Sequence, residues 1–203
     1  ATTASLFPSS WSLNNLPTDW THANSCAGTC PDGRRYQLRT RAKDRANNQG
    51  AFPSAQTATA LVIVDVTPPV SAVNYPAVAD GGIATSLTSI TGTAADVAVN
   101  ASSGGVTKVF VSVLGISGDA GCSNGLYWQH SSGQFVDNAG SPIWNAAAFN
   151  AVSGEWSFAS AGIDAKLGVN CQYVVISRAD DKPGLVQTAL QAVGEAGRRR
   201  WFF

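Results

Sequence analysis

The sequence predicts an all-β protein, and three features of its 203 residues carry that reading. One nine-residue stretch with the side-chain period of a strand occurs twice. Short β-branched runs bounded by Gly, Pro, Asn or Ser clusters recur along the chain. Charged residues make up 13% of the chain, about half the usual share of roughly 25%, while 44% is hydrophobic. That balance suits a packed core and argues against disorder.

The repeated stretch is Tyr36-Gln-Leu-Arg-Thr-Arg-Ala-Lys-Asp44 and Tyr173-Val-Val-Ile-Ser-Arg-Ala-Asp-Asp181. Both read Tyr-x4-Arg-Ala-x-Asp, 137 positions apart. Each follows a Trp-Ser-apolar triplet, Trp11-Ser12-Leu13 and Trp156-Ser157-Phe158. The first interval from Trp to Tyr exceeds the second by eight residues, which places an inserted loop at Cys26-Ala-Gly-Thr-Cys30. A repeat of this length speaks to architecture. Trp11, Tyr36, Trp156 and Tyr173 are the expected core positions.

Taken in order, residues 1–25 are turn-rich, and only Trp11-Ser-Leu13 reads as a short strand. From Tyr36 to Asp44 the faces alternate: Tyr36, Leu38, Thr40 and Ala42 on one side, Gln37, Arg39, Arg41 and Lys43 on the other. Arg45 to Gly50 is a turn. Thr57 to Val66 is a β-branched strand, stopped by Thr67-Pro68-Pro69 because proline cannot donate to a ladder. Beyond this boundary, strands are expected at Val70–Tyr75, Leu87–Thr93, Val106–Leu114, Gly125–Trp128, Trp156–Ala159, Gln172–Ala179 and Leu185–Val193. Gly81-Gly82 reads as a turn, and Ser131 to Ser153 shows no period. By composition, Leu185–Val193 also suits a short amphipathic helix. Its place after the repeated strand, where the first copy has Thr57 to Val66, favours a strand. Seven short strands between turns describe a β-sandwich of immunoglobulin-like plan. Residues 67–193 form one complete module in this reading. Residues 1–66 form a partial module supplying C-terminal strands, and 194–203 form a tail that matches nothing earlier.

Thr67-Pro-Pro, Ile90-Thr-Gly-Thr-Ala-Ala-Asp96, Gly125-Leu-Tyr-Trp128, Glu155-Trp-Ser-Phe158 and the repeated strand resemble the Ig-like tandem repeats of large bacterial surface and secreted proteins. The resemblance implies a stalk, adhesin or spacer role. Such repeats commonly end Asp-x-Ala-Gly-Asn, whereas the turns here read Asp44-Arg-Ala-Asn-Asn48 and Asp181-Lys-Pro-Gly184. No Ca²⁺ site is therefore assigned on the resemblance.

Zero net charge argues against nucleic-acid binding. No apolar run reaches the ~18 residues of a membrane span. With no Met in the chain, Ala1-Thr-Thr-Ala reads as a processed or cut end. Four Cys in a Ser/Thr-rich chain point to an oxidising compartment, hence to an extracellular or cell-surface location. Of three possible connectivities, the expected one pairs Cys26 with Cys30 and Cys122 with Cys171. The second bridge closes a loop of about fifty residues, a contribution on the order of 3–4 kcal/mol.

Candidate chemistry is sparse. His22 and His130 lie far apart, away from any Cys or carboxylate cluster. No carboxylate pair has spacing that suggests glycoside hydrolysis, and Cys26-x3-Cys30 lacks the second ligand pair of a zinc site. No catalytic residue, metal ligand or cofactor is assigned, and the chain is read as non-enzymatic. Trp128 and Trp144 are candidates for a glycan platform, which makes a carbohydrate-binding accessory module the alternative function. Asn100-Ala-Ser102 matches a glycosylation sequon. Val174 and Ile176 replace Gln37 and Arg39 of the first copy, giving an apolar outer face. The chain also ends Trp201-Phe202-Phe203, a costly group to leave in water. With the open edges of an incomplete module, these residues suggest partner contacts and head-to-tail self-association into rings or filaments.

Overall fold

The computed structural model describes residues 5–6, 11–12, 33–39, 43–50, 59–76, 82–98, 103–118, 121–159, 162–188 and 198–203. Among them every regular element is a strand, except one 3₁₀ turn at Asp164–Lys166. β1 (Ser5–Leu6) pairs with β2 (Trp11–Ser12), and β3 (Arg34–Arg39) with β4 (Thr59–Val64). The other strands are β5 (Val70–Tyr75), β6 (Gly82–Ile83), β7 (Ile90–Ala95), β8 (Val106–Ser117), β9 (Tyr127–Gln129) and β10 (Gln134–Val136). They continue with β11 (Asn145–Phe149), β12 (Glu155–Phe158), β13 (Gln172–Asp181) and β14 (Arg198–Phe202). Hydrogen bonds join them in the order β5-β7-β12-β11-β8-β13-β14-β6, with the β9–β10 hairpin attached to β8. Every pairing is antiparallel except that of β6 with β14.

This sheet doubles back on itself at β11. Asn145–Ala147 pair with β8, and the next two residues pair with β12. Val73, Ile90, Ala94, Trp156 and Phe158 from one half then share a core with Val109, Val111, Val113, Tyr173, Val175 and Ala179 from the other. Strand alternation explains this membership. Along the β8–β13 ladder, Val175 faces Val113, Ser177 faces Val111 and Ala179 faces Val109, so all of these side chains point inward together. Burying each large apolar side chain contributes about 1.5–3 kcal/mol. Several of the buried polar groups find partners within the core. Ser71 Oγ lies 2.8 Å from Ser177 Oγ and donates to Gln187 Oε1 at 2.7 Å, and the same oxygen accepts the Ala179 N–H. Trp156 Nε1 donates to the Thr93 carbonyl at 3.0 Å.

Three expectations are corrected by this arrangement. The stretch from Ser131 to Ser153 holds two strands, β10 and β11. Asn145-Ala-Ala-Ala-Phe149 carries no alternation, and the ladder on each side sets its conformation. Buried Asn145 adds side-chain bonds to the Val111 and Trp128 carbonyls at 3.2 and 3.0 Å. Within the expected strand Leu185–Val193, the described residues make only the Asp180–Val186 bridge, and Gln187 is buried with its N–H on the Ala179 carbonyl. Residues 189–193 lie outside the described residues. The edge of β13 is instead taken by the tail. β14 pairs Trp201 with Tyr173, as β4 pairs Val62 with Tyr36, so the tail is the counterpart of β4.

Candidate metal centre

Strand ends assemble the site. Asp65 directly follows β4, Asp96 directly follows β7, and Asp181 is the last residue of β13. The β5–β7 register sets Val70 beside Ala95, and the β8–β13 register sets Asp181 beside Val106. Three aspartates distant in sequence thereby reach one end of the folded sheet. One carboxylate oxygen from each lies within 4.8 Å of the others.

Backbone N–H groups hold all three carboxylates. Gly104 N–H donates to Asp65 Oδ2, and Gly105 N–H donates to Asp96 Oδ2 at 2.6 Å. Glycine is required at both positions. A Cβ on residue 104 would lie 2.5 Å from Pro183 Cδ and 2.7 Å from Asp65 Oδ2, and residue 105 has φ +79°. Asp65 Oδ1 accepts the Thr67 N–H at 3.2 Å, and Asp181 Oδ1 accepts those of Gly184 and Leu185 at 2.8 and 2.7 Å.

Two oxygens remain without partners, Asp96 Oδ1 and Asp181 Oδ2. Asp181 is only 4% exposed. A buried carboxylate oxygen with neither donor nor cation is strongly unfavourable. No ion pair reaches the cluster among the described residues; the Arg178–Asp180 contact at 3.4 Å lies beside it. Burial raises the Asp96 pKa above the ordinary carboxylate range, with Asp65 and Asp181 as further like charges and the Gly105 N–H opposing them. The donor set fits a hard divalent cation. Carboxylate oxygens suit Ca²⁺, Mg²⁺ or Mn²⁺, and two oxygens bound to one Ca²⁺ at 2.3–2.6 Å lie at most about 5 Å apart. Asp65, Asp96 and Asp181 would hold such an ion.

The residues singled out from sequence lie elsewhere. Trp128 is completely buried and packs edge-on against Phe135, whose ring lies 5.6 Å from that of Tyr173. It is therefore no glycan platform; its strand carries it inward. Trp144 is half-buried, its ring 4.7 Å from the Arg178 guanidinium, which also lies 5.0 Å from the Phe110 ring. That stack occupies the outer face of β8 and β13. Val174 is 1% exposed and Ile176 is half-buried, so the face expected to be open for a partner is covered by the chain itself. Phe203 packs against the core, and its N–H donates to the Cys171 carbonyl. Of Trp201 and Phe202 only the backbone is described, and it is paired with β13. Cys122 and Cys171 form a disulfide. Cys26, Cys30, His22 and the sequon at 100–102 lie outside the described residues, as do the side chains of Trp11 and Tyr36. A groove of about 510 Å³ on the β7–β12 face is lined by Asn74, Thr91, Asn150, Glu155 and Ser157 among others, with Glu155 its one carboxylate.

Asp96 and Asp181 were visible in sequence as the last residues of two motifs and Asp65 as the penultimate residue of the Thr57–Val66 strand, but nothing there joined them. The usable signal was their shared place, each at or just beyond a strand end. No family model, curated protein or solved structure matches this chain.

Proposed function

We propose that the chain is a non-enzymatic structural repeat segment of an extracellular surface assembly. In this reading a divalent cation clamps the segment joining the two repeat copies onto an immunoglobulin-like module. One observation carries the proposal: Asp65 comes from the joining segment, Asp96 and Asp181 come from the module, and all three converge. A spacer transmits position along a chain only if its junctions are fixed, and an ion bridging both sides fixes this one.

The strand order supports the immunoglobulin-like plan. That plan places the first, second, fifth and fourth strands on one sheet and the third, sixth and seventh on the other. With β5 and β6 as a divided first strand and β9–β10 as an insertion, β5-β7-β12-β11 and β8-β13-β14 follow that order. Tyr173 adds a second mark. Its hydroxyl accepts the Gly168 N–H at 2.8 Å, a tyrosine at the start of the sixth strand bonded back to the preceding corner. The disulfide is compatible with an oxidising location. Val174 and Ile176 give little support to self-association, since one is buried and the other half-buried within the chain, and the backbone of Arg198–Phe202 is paired with β13.

Calorimetric titration with Ca²⁺, thermal melts and small-angle scattering test the reading. The expected result is one ion per chain, a higher melting temperature than in chelator, and a scattering profile that changes on Ca²⁺ removal. Asp65→Asn should lose most of the Ca²⁺-dependent stabilisation. A wild-type protein that neither binds Ca²⁺ nor gains stability at millimolar concentrations would defeat the proposal.

A further inference from the structure

The two copies of the repeated strand end in turns built alike. Asp44 and Asp181 stand 137 positions apart, as do Asn48 and Leu185. Asp44 N–H donates to the Asn48 carbonyl at 3.0 Å, and Asp181 N–H to the Leu185 carbonyl at 3.1 Å. In return, Oδ1 of each aspartate accepts the N–H of that same residue, at 2.8 and 2.7 Å. The flanking bridges correspond too, Lys43 with Gln49 and Asp180 with Val186. The left-handed position falls on Asn47 in the first turn (φ 77°) and on Gly184 in the second (φ 93°).

The turns differ at the second carboxylate oxygen. Asp44 Oδ2 accepts Asn48 Nδ2 at 2.8 Å, whereas Asp181 Oδ2, in a residue more than nine-tenths buried, has no partner. The matching position is Leu185, which has no side-chain donor. The Asn48 amide is also the first cause holding Asp44 below the ordinary carboxylate range.

We propose that the residue four places beyond the aspartate decides whether this turn depends on a cation. Asn48 supplies an amide donor that closes the first turn, and Leu185 withholds one, leaving Asp181 Oδ2 to the ion shared with Asp65 and Asp96. The inference rests on the cation reading above. An amide N–H and a divalent cation are alternative partners for one carboxylate oxygen, so installing the first weakens the need for the second.

Leu185→Asn tests this, with Leu185→Ala as the control for lost leucine packing. Melts are recorded in chelator and in millimolar Ca²⁺, alongside calorimetric titration of Ca²⁺. Relative to Leu185→Ala, the asparagine variant should melt higher in chelator, show a Ca²⁺-induced rise at most half as large, and bind Ca²⁺ at least tenfold more weakly. Equal melting in chelator with an undiminished Ca²⁺ rise would overturn the role of residue 185 and leave the site standing. If wild type shows no Ca²⁺ rise, the cation reading itself falls. Should Leu185→Asn not fold, Asn48→Leu probes the same amide in an exposed turn. The Asp44 carboxyl titration followed by NMR should then move up towards its ordinary value, and an unmoved titration overturns the proposal.

Discussion

Replacing Cys122 and Cys171 together with alanine should cost this protein about 4 kcal/mol of stability. The bridge joins the residues after β8 to the residue before β13, 49 positions apart. In the chain-entropy model, closing a loop of that size removes about 14 cal/mol/K from the unfolded chain, about 4 kcal/mol at 25 °C. Underpacking where buried Cys171 loses its sulfur adds to the loss. For a chain of this size each kcal/mol corresponds to about 2–4 °C, so the melting temperature should fall by about 8–16 °C. The mechanism leaves a second trace. An unfolded chain without the cross-link is more extended, so the urea m-value should rise as the midpoint falls. Urea unfolding followed by tryptophan fluorescence reads both, and reduced wild type should reproduce the double variant. A loss below about 1 kcal/mol with an unchanged m-value would show that the loop is already constrained when unfolded, refuting the argument.

Arg178→Ala should cost about 2 kcal/mol, because it removes a guanidinium held between the Phe110 and Trp144 rings. Arg178→Lys should recover only part of this, since an ammonium cannot stack as a plane; equal stability of the two variants in chemical denaturation would reject the stacking account. Tyr173→Phe leaves the Gly168 N–H without its acceptor and should cost about 1 kcal/mol, with no effect on Ca²⁺ binding. In chelator, stability should depend on pH through Asp96. Its folded pKa is raised, so the folded state holds the proton more tightly. Its contribution is present below the ordinary carboxylate value and is lost as pH rises through the folded one. Asp96→Asn should flatten that dependence in melts between pH 3 and 7, and an identical pH profile in variant and wild type would count against it. In Ca²⁺ the trend should reverse, because protonation competes with the ion.

Local pattern made much of the fold legible. The β-branched run from Val106 and the repeated stretch from Tyr173 placed β8 and β13, and the Pro68-Pro69 stop separated β4 from β5. The repeat put Tyr173 and Trp156 in the core, where both are buried. These features are periodic or punctuated within a few residues, so the sequence by itself determined them. The Cys122–Cys171 bridge is one of three pairings that the cysteine count allowed, and the fold brings these two together.

Tertiary structure decided the rest, because the deciding partners lie far away in sequence. Nothing in Asn145-Ala-Ala-Ala-Phe149 favours a strand; β8 and β12 make it one by offering ladders on both sides. Arg198–Phe202 looked like an exposed tail until pairing with β13 made it the closing strand. Trp128 and Val174 looked available for partners, yet packing buries both, since exposure belongs to the assembled surface and not to the residue. The metal centre belongs here too. Asp65, Asp96 and Asp181 are each an ordinary strand end in sequence, and only the doubled sheet brings like charges together against their mutual repulsion.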